Sequence, residues 1–368
     1  MTIIIYITTI ISNLILGIRT KRNLGIYYLS LISIILLILG YRNYSGYSND
    51  LINYETEYHN LLLGFTSSYE IGYVLLMKIG LRFTNDFFVF RDIISLILIL
   101  VLFKTFLKSN INPHLIIGFF SIYLIIMSAE QFRYFIGFTI FSIGILRYVF
   151  YKKKSKVSLI FFILIASSMH ISFLAYFVLF LINFKSIKIK REVFYGFFSI
   201  ILIIIVFING NKIPGVENII KYFESDKLTI YINQSTKLGF LYILVLHLFN
   251  VFISYWSYKS SLNTLNEGII KKSTTILKIN LTMLLLMPLV MTQITFYRLF
   301  RNLLILNYAS YSLHVHNKNV SKINRLTFLI CAILSTLCWL YFDLIVKTPS
   351  NALLIPFFED NIFLKFFN

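Results

Sequence analysis

Arginine, carboxylate and histidine side chains recur in this chain at the ends of apolar runs, at spacings that suggest joint chemistry. RNYSGYSNDLINY sets Arg42, Gly46, Asp50 and Tyr54 at intervals of four. Glu70 opens YEIGYVLLMKIG, and EQFRYFIGFTIF puts Glu130, Gln131 and Arg133 at the start of a long apolar stretch. SSMHIS places His170 among Ser167, Ser168 and Ser172, and TFYRLFRNLL carries Arg298 and Arg301 three apart, on one helical face. A guanidinium is planar, permanently charged and able to grip an oxyanion through parallel hydrogen bonds, so two arginines on one face make an anion clamp. A carboxylate whose affinity for protons is raised by burial, or a neutral imidazole, can act as a general base. Arg133, Arg298 and Arg301, with Arg42, are the candidate anion ligands; Asp50, then His170, then Glu70 are the candidate bases. The plainer readings are a solvated loop for Glu55 and Glu57, a helix N-terminus that stabilises Glu70, an interfacial snorkelling arginine at 133, and a satisfied buried histidine at 170.

The elements that must position these groups follow from composition. Of 368 residues, 58% are hydrophobic and 13% charged, with 37 Phe and 25 Tyr, and mean hydropathy is +0.79. A soluble domain carries about a quarter charged residues, and no aqueous core could enclose this much apolar side chain. The apolar stretches are continuous rather than alternating, so hydrocarbon-spanning helices are expected, not a barrel. The fold class expected is all-α, a polytopic integral membrane protein in a single domain over 1–368. About ten spans are expected, near 2–17, 25–40, 88–107, 114–128, 134–150, 192–208, 238–257, 275–292, 300–313 and 326–346. The first is read as a retained span, because the start lacks the basic region and small-residue cleavage site of a signal peptide. Two segments fit no simple crossing: 70–83, read as re-entrant, and 157–184, read as a short helical hairpin turning near Ser168 and His170.

With that layout one side collects nineteen basic residues in six clusters against two acids, Glu192 and Glu267. The clusters are Arg19, Lys21, Arg22; Lys104, Lys108; Lys152–Lys154, Lys156; Lys185, Lys188, Lys190, Arg191; Lys259, Lys271, Lys272; and Lys318, Lys322, Arg325. Positive charge orients membrane proteins toward the cytoplasm, so the net charge of +19 is read as topology and not as a nucleic-acid surface. The loops near 41–69 and 209–237, and the candidate site, then face outward. Cys331 and Cys338 share one face of an apolar run and suggest neither a disulfide nor a metal, and no metal-binding or nucleotide-binding motif occurs, so no cofactor is expected.

The ordered set R-x3-G-x3-D-x3-Y (Arg42, Gly46, Asp50, Tyr54), E-x-G-Y (Glu70, Gly72, Tyr73), Q-x-R before a span (Gln131, Arg133), a KKK loop and a mid-span S-x-x-H (Ser167, His170) resembles the EpsG-like branch of Wzy-type polysaccharide polymerases. The likeness is good over about 40–185 and looser beyond. One departure is that Phe132 separates Gln131 from Arg133, where the branch often reads R-Q. The resemblance implies a multi-pass glycosyltransferase of the bacterial cytoplasmic membrane, with an outward-facing site. Its substrates would be undecaprenyl-diphosphate-linked oligosaccharides as donor and acceptor, and its neighbours would include a flippase and a chain-length regulator. Tyr54 and other loop tyrosines then suit sugar stacking. An O-antigen ligase, a flippase or transporter, and a membrane O-acyltransferase are the alternatives. A transporter is expected to show repeated halves and a midplane charge cluster, which the sequence lacks.

Overall fold

The structure is a computed structural model; it describes residues 1–19, 23–43, 49–109, 111–151, 155–184, 186–215, 237–264 and 266–364. Gly46, Lys152–Lys154 and most of the 209–237 loop lie outside these residues. Among the described residues the regular structure is helical, apart from one isolated bridge between Tyr41 and Asn361.

The order is α1 Thr2–Ile18, α2 Leu24–Gly40, α3 Asn49–Leu62, α4 Ile71–Gly80, α5 Phe87–Lys108, α6 Pro113–Ile122, α7 Leu124–Glu130, α8 Phe132–Phe150 and α9 Lys156–Met169. A 3-10 helix, Ile171–Leu181, follows, then α10 Lys190–Ile208, α11 Gly239–Ser261, α12 Glu267–Met283, α13 Met287–Thr292, α14 Arg298–Arg301, α15 Leu304–Val315, α16 Lys322–Tyr341 and α17 Leu354–Glu359. Helix starts are marked by side-chain caps that the sequence supplies: Asn23, Asp86, Asn112 before Pro113, Ser155, Asn266 and Ser321 each accept a first-turn N–H.

Burial sorts the helices into an inner and an outer set. In α8, 83% of the most apolar 18-residue stretch is buried, against 17% in α10, so α8 is central and α10 presents Phe194, Phe197, Ile200, Ile201 and Ile204 outward. α6, α7 and α15 are buried along their whole length, α7 and α15 beside α8 and α6 between α1 and α15. An exposed apolar belt of this kind needs lipid around it.

Among the described residues, five helices are long and apolar enough to cross a membrane: α8, α10, α11, α12 continued to Thr292, and α16 continued to Lys347. The bent pair α6–α7, turned through 61°, makes six. The count of about ten expected from apolar runs is not reached, for identifiable reasons. α1 and α2 are 17 residues each, α15 is 12, and α5 carries Arg91, Asp92, Lys104 and Lys108 within its length.

Segment 157–184 turns back on itself at His170. Phe162 lies against Gly144 and Ala166 against Gly137, so α9 runs antiparallel to α8; Phe173, Tyr176 and Phe184 follow against Tyr134, Phe141 and Tyr148, so the second arm returns parallel to α8. Eleven residues of 3-10 helix rise about 2.0 Å each, on the order of 22 Å, where an α-helix of that length would reach only about 16 Å. The stretched second arm lets the short hairpin match the length of α8 and lifts His170 to the level of Tyr134.

α4 docks on that tip. A side chain at Gly72 would put its Cβ 2.7 Å from the Ser168 carbonyl oxygen, a distance no side chain tolerates. The glycine of E-x-G-Y is therefore a close-approach residue, and Glu70, two positions earlier, is carried to the hairpin turn.

Candidate active site at one end of the bundle

The break between α7 and α8 is a four-residue hub, and each polar side chain in it reaches a different segment. Glu130 accepts from the Tyr41 hydroxyl at 2.7 Å, from Asn43 Nδ2 at 3.3 Å and from the backbone N–H of Leu51 at 3.4 Å, which ties down the first turn of α3 beside Asp50. Gln131 Oε1 accepts from Arg301 Nη2 at 2.8 Å. Arg133 is ion-paired with Glu70 and stacks over the Tyr69 ring at 4.3 Å. The second oxygen of Glu70 accepts from the Ile171 N–H at 3.0 Å, so this carboxylate joins α8, α4 and the hairpin turn.

Next along α8, Tyr134 faces His170 edge-on at 5.1 Å and carries two guanidinium groups, Arg298 at 5.4 Å and Arg301 at 5.1 Å from its ring centre. Its hydroxyl accepts from Asn302 Nδ2 at 2.7 Å. His170 Nδ1 lies 2.8 Å from the Ser172 hydroxyl and accepts from the Ser172 N–H, capping the 3-10 helix. With that lone pair engaged, a neutral His170 carries its proton on Nε2, a tautomer assigned from the hydrogen bonds.

The chain's C-terminal part closes the site. After Tyr341 the helix loosens into a π-turn, Phe342–Lys347, which puts Asp343 and Lys347 on the face toward Tyr297. The fully buried Asp343 accepts from Tyr123 at 2.5 Å, from Tyr297, and from Arg301 Nη1 at 2.9 Å, with Lys347 Nζ at 3.9 Å. The Arg298 side chain makes no hydrogen bond to any described residue, and its Nε is buried without a partner. Asp50 is half-buried, its carboxylate makes no hydrogen bond to a described residue, and it lies within electrostatic reach of Tyr54, Arg298 and Lys347. Tyr54, buried edge-on to Tyr69 and Tyr73, has its hydroxyl pushed well above the usual range by burial, reinforced by Asp50, and remains a proton donor.

Asp50, Tyr54, Glu70, Gln131, Arg133, His170, Arg298 and Arg301 thus converge, although their positions span 250 residues of chain. Arg42 does not join them. It pairs with Asp92 at 2.6 Å and donates to the backbone carbonyls of Leu39 and Tyr41, in a cluster shared with Arg91. Tyr134, Tyr297, Asp343 and Lys347 are the members that the sequence reading omits. Asp343 and Lys347 did carry a signal, two ionisable residues four apart in an apolar run; Tyr134 is one tyrosine among 25 and carried none.

Residues 25–358 match the EpsG family. The chain belongs to that family. This EpsG-family chain is accordingly a membrane protein of polysaccharide biosynthesis, of a family associated with polysaccharide polymerases. The match takes in the C-terminal half, including Arg298, Arg301, Asp343 and Lys347, where the motif likeness is loose. No curated protein and no solved structure matches the chain.

Four cations, Arg133, Arg298, Arg301 and Lys347, meet three carboxylates, Glu70, Asp343 and Asp50, in this EpsG-family site. Positive charge is in excess, and aromatic rings pack against it. Such an arrangement stabilises negative charge that develops on a bound group, with no reorganisation at the moment of reaction.

Proposed function

We propose that this protein is a repeat-unit polymerase: a glycosyltransferase of the bacterial cytoplasmic membrane that joins undecaprenyl-diphosphate-linked oligosaccharides at the outer face. The observation that carries the reading is the surplus of held positive charge at one end of the bundle, in a chain of the EpsG family. An acceptor sugar hydroxyl oxygen bonds to the anomeric carbon of the donor chain. The bond from that carbon to the diphosphate oxygen breaks, and the electron pair leaves with undecaprenyl diphosphate. Arginine charge near the departing diphosphate lowers the barrier without a proton transfer to it.

The hydroxyl proton goes to a base, and the hydrogen-bonding pattern supports Asp50. Both oxygens of Glu70 are committed, one to Arg133 and one to the Ile171 N–H. His170 offers an N–H at Nε2 and serves to orient rather than to accept. Asp50 alone of the three has a carboxylate free of hydrogen bonds to described residues, beside Tyr54 in a helix that the Glu130 contact holds in place. The flippase and the chain-length regulator are working neighbours under this reading.

Deleting the gene in a strain that makes a surface glycan tests it. Single repeat units left on the acceptor mean polymerase. No sugar attached to the acceptor means ligase, and normal-length polymer lacking acetyl groups means acyltransferase; either result overturns the proposal.

A further inference from the structure

The site holds five side chains in an alternating ladder, cation, ring, cation, ring, cation: Arg298, Tyr134, Arg301, Tyr297, Lys347. Arg298 and Arg301 flank the Tyr134 ring at 5.4 and 5.1 Å, and Arg301 and Lys347 flank the Tyr297 ring at 5.6 and 4.3 Å. The three cations differ in what remains available to a ligand. The middle one, Arg301, is enclosed: Nη1 goes to Asp343, Nη2 to Gln131, and its side chain is only 3% exposed. The guanidinium of Arg298, at one end, has no hydrogen bond to a described residue. Lys347, at the other end, is 22% exposed, donates once to the Tyr297 hydroxyl at 3.0 Å, and stands off from Asp343 at 3.9 Å. An ammonium has three N–H donors, so two of them remain for a ligand. Lys347 sits at the end of a π-turn, a feature that recurs where a helix re-aims side chains toward a functional site.

We propose that the anion held in this site is gripped from its two ends by Arg298 and Lys347, while Arg301 and Asp343 form the brace between them. The inference rests on the polymerase reading, in which the ligand is a lipid-linked diphosphate. It assigns Lys347 as an anion ligand and removes Arg301 from direct contact. One negative charge at Asp343 cannot neutralise both Arg301 and Lys347, and Asp50, within electrostatic reach of both Arg298 and Lys347, is the other carboxylate that acts on the ladder's two ends among the described residues. A diphosphate supplies the missing charge and offers two phosphoryl groups, one for a guanidinium fork and one for a point charge, and Arg298 and Lys347 lie within electrostatic reach of each other.

The test measures equilibrium binding of undecaprenyl diphosphate, carrying no sugar, to the purified full-length protein in detergent. The wild type is compared with Lys347→Gln, Lys347→Arg and Arg298→Ala, each first checked for a single monodisperse species. Loss of one charge-assisted contact weakens binding roughly ten- to a hundredfold. That loss is expected for Lys347→Gln and for Arg298→Ala, with Lys347→Arg within severalfold of the wild type and the wild-type affinity falling as salt rises. Binding by Lys347→Gln as tight as the wild type, with Arg298→Ala defective, overturns the Lys347 assignment and leaves the polymerase reading standing. If Lys347→Gln alone fails to stay folded, equal weakening of Lys347→Arg and Arg298→Ala would likewise count against a point charge at 347. A wild type that does not bind the diphosphate lipid overturns both.

Discussion

At the C-terminal end of α2, Arg42 and Arg91 share Asp92; at the other cluster, Arg301 and Lys347 share Asp343. Each pairs two cations with one carboxylate. At Asp92 the guanidinium protons also find backbone carbonyls: Arg91 donates to Tyr41 at 2.7 Å and to Leu39 at 3.0 Å, and Arg42 donates to Tyr41 at 3.0 Å. Those carbonyls end a helix, where the backbone offers unpaired acceptors and a partial negative charge. The first cluster is closed, a staple between α2 and α5. Both clusters stack on rings, Phe88 in the first and Tyr134 and Tyr297 in the second, but only the first adds carbonyls, and a ring attracts a cation without using up its N–H donors. Buried arginines near an aspartate do not by themselves mark a site; donors left over after the local acceptors are counted do.

The largest effect expected from this contrast is at the base. Asp50→Asn keeps the shape of the side chain and removes its basicity, so chain extension falls by roughly 10²–10⁴, leaving single repeat units at normal protein level. Immunoblotting for the protein, run beside the glycan ladder, checks it. A near-normal ladder from Asp50→Asn together with a dead His170→Ala would hand the role to His170.

Arg133→Ala comes next, at roughly 10²–10³ in rate, since it releases Glu70 and the hairpin turn as well as a charge from the site. Lys at this position rescues poorly, because a point charge reproduces neither the Glu70 pair nor the stack on Tyr69. Initial rates of polymer formation in membranes with equal protein decide this; full-length chains from Arg133→Ala would make the arginine merely interfacial.

The smallest effect on activity belongs to the closed cluster. Arg42→Ala should cost about 1–3 kcal/mol of stability through lost hydrogen bonds to a charged group, read as a lower melting temperature in detergent. Activity per folded molecule should stay within severalfold of the wild type. An unchanged melting temperature would remove the staple reading of Arg42.

How far the sequence revealed this follows from the same distinction. Apolar runs located nearly every helix, and the hairpin turn at His170 was legible because 28 apolar residues fit no single crossing. Of the motif order R, D, E, R, H, all but the first, Arg42, meet in one cluster. Arg42 was misleading because its type and spacing resemble those of the site arginines; only the direction of the α2 terminal carbonyls separates them. Asp343 and Lys347 were masked by the hydropathy of the run that carries them, in a helix whose π-turn no periodicity announces. Tyr134 and Tyr297 depend on rings meeting guanidinium groups across the bundle, a contact that composition does not encode.

The central claim is that the open cluster extends chains and the closed one holds the fold. Its most direct test is the chain-length ladder in the deletion strain complemented with Arg298→Ala or Arg42→Ala, each normalised to protein present in the membrane. The account predicts single repeat units from Arg298→Ala and a ladder of ordinary length from Arg42→Ala. Long chains from Arg298→Ala with none from Arg42→Ala would contradict it.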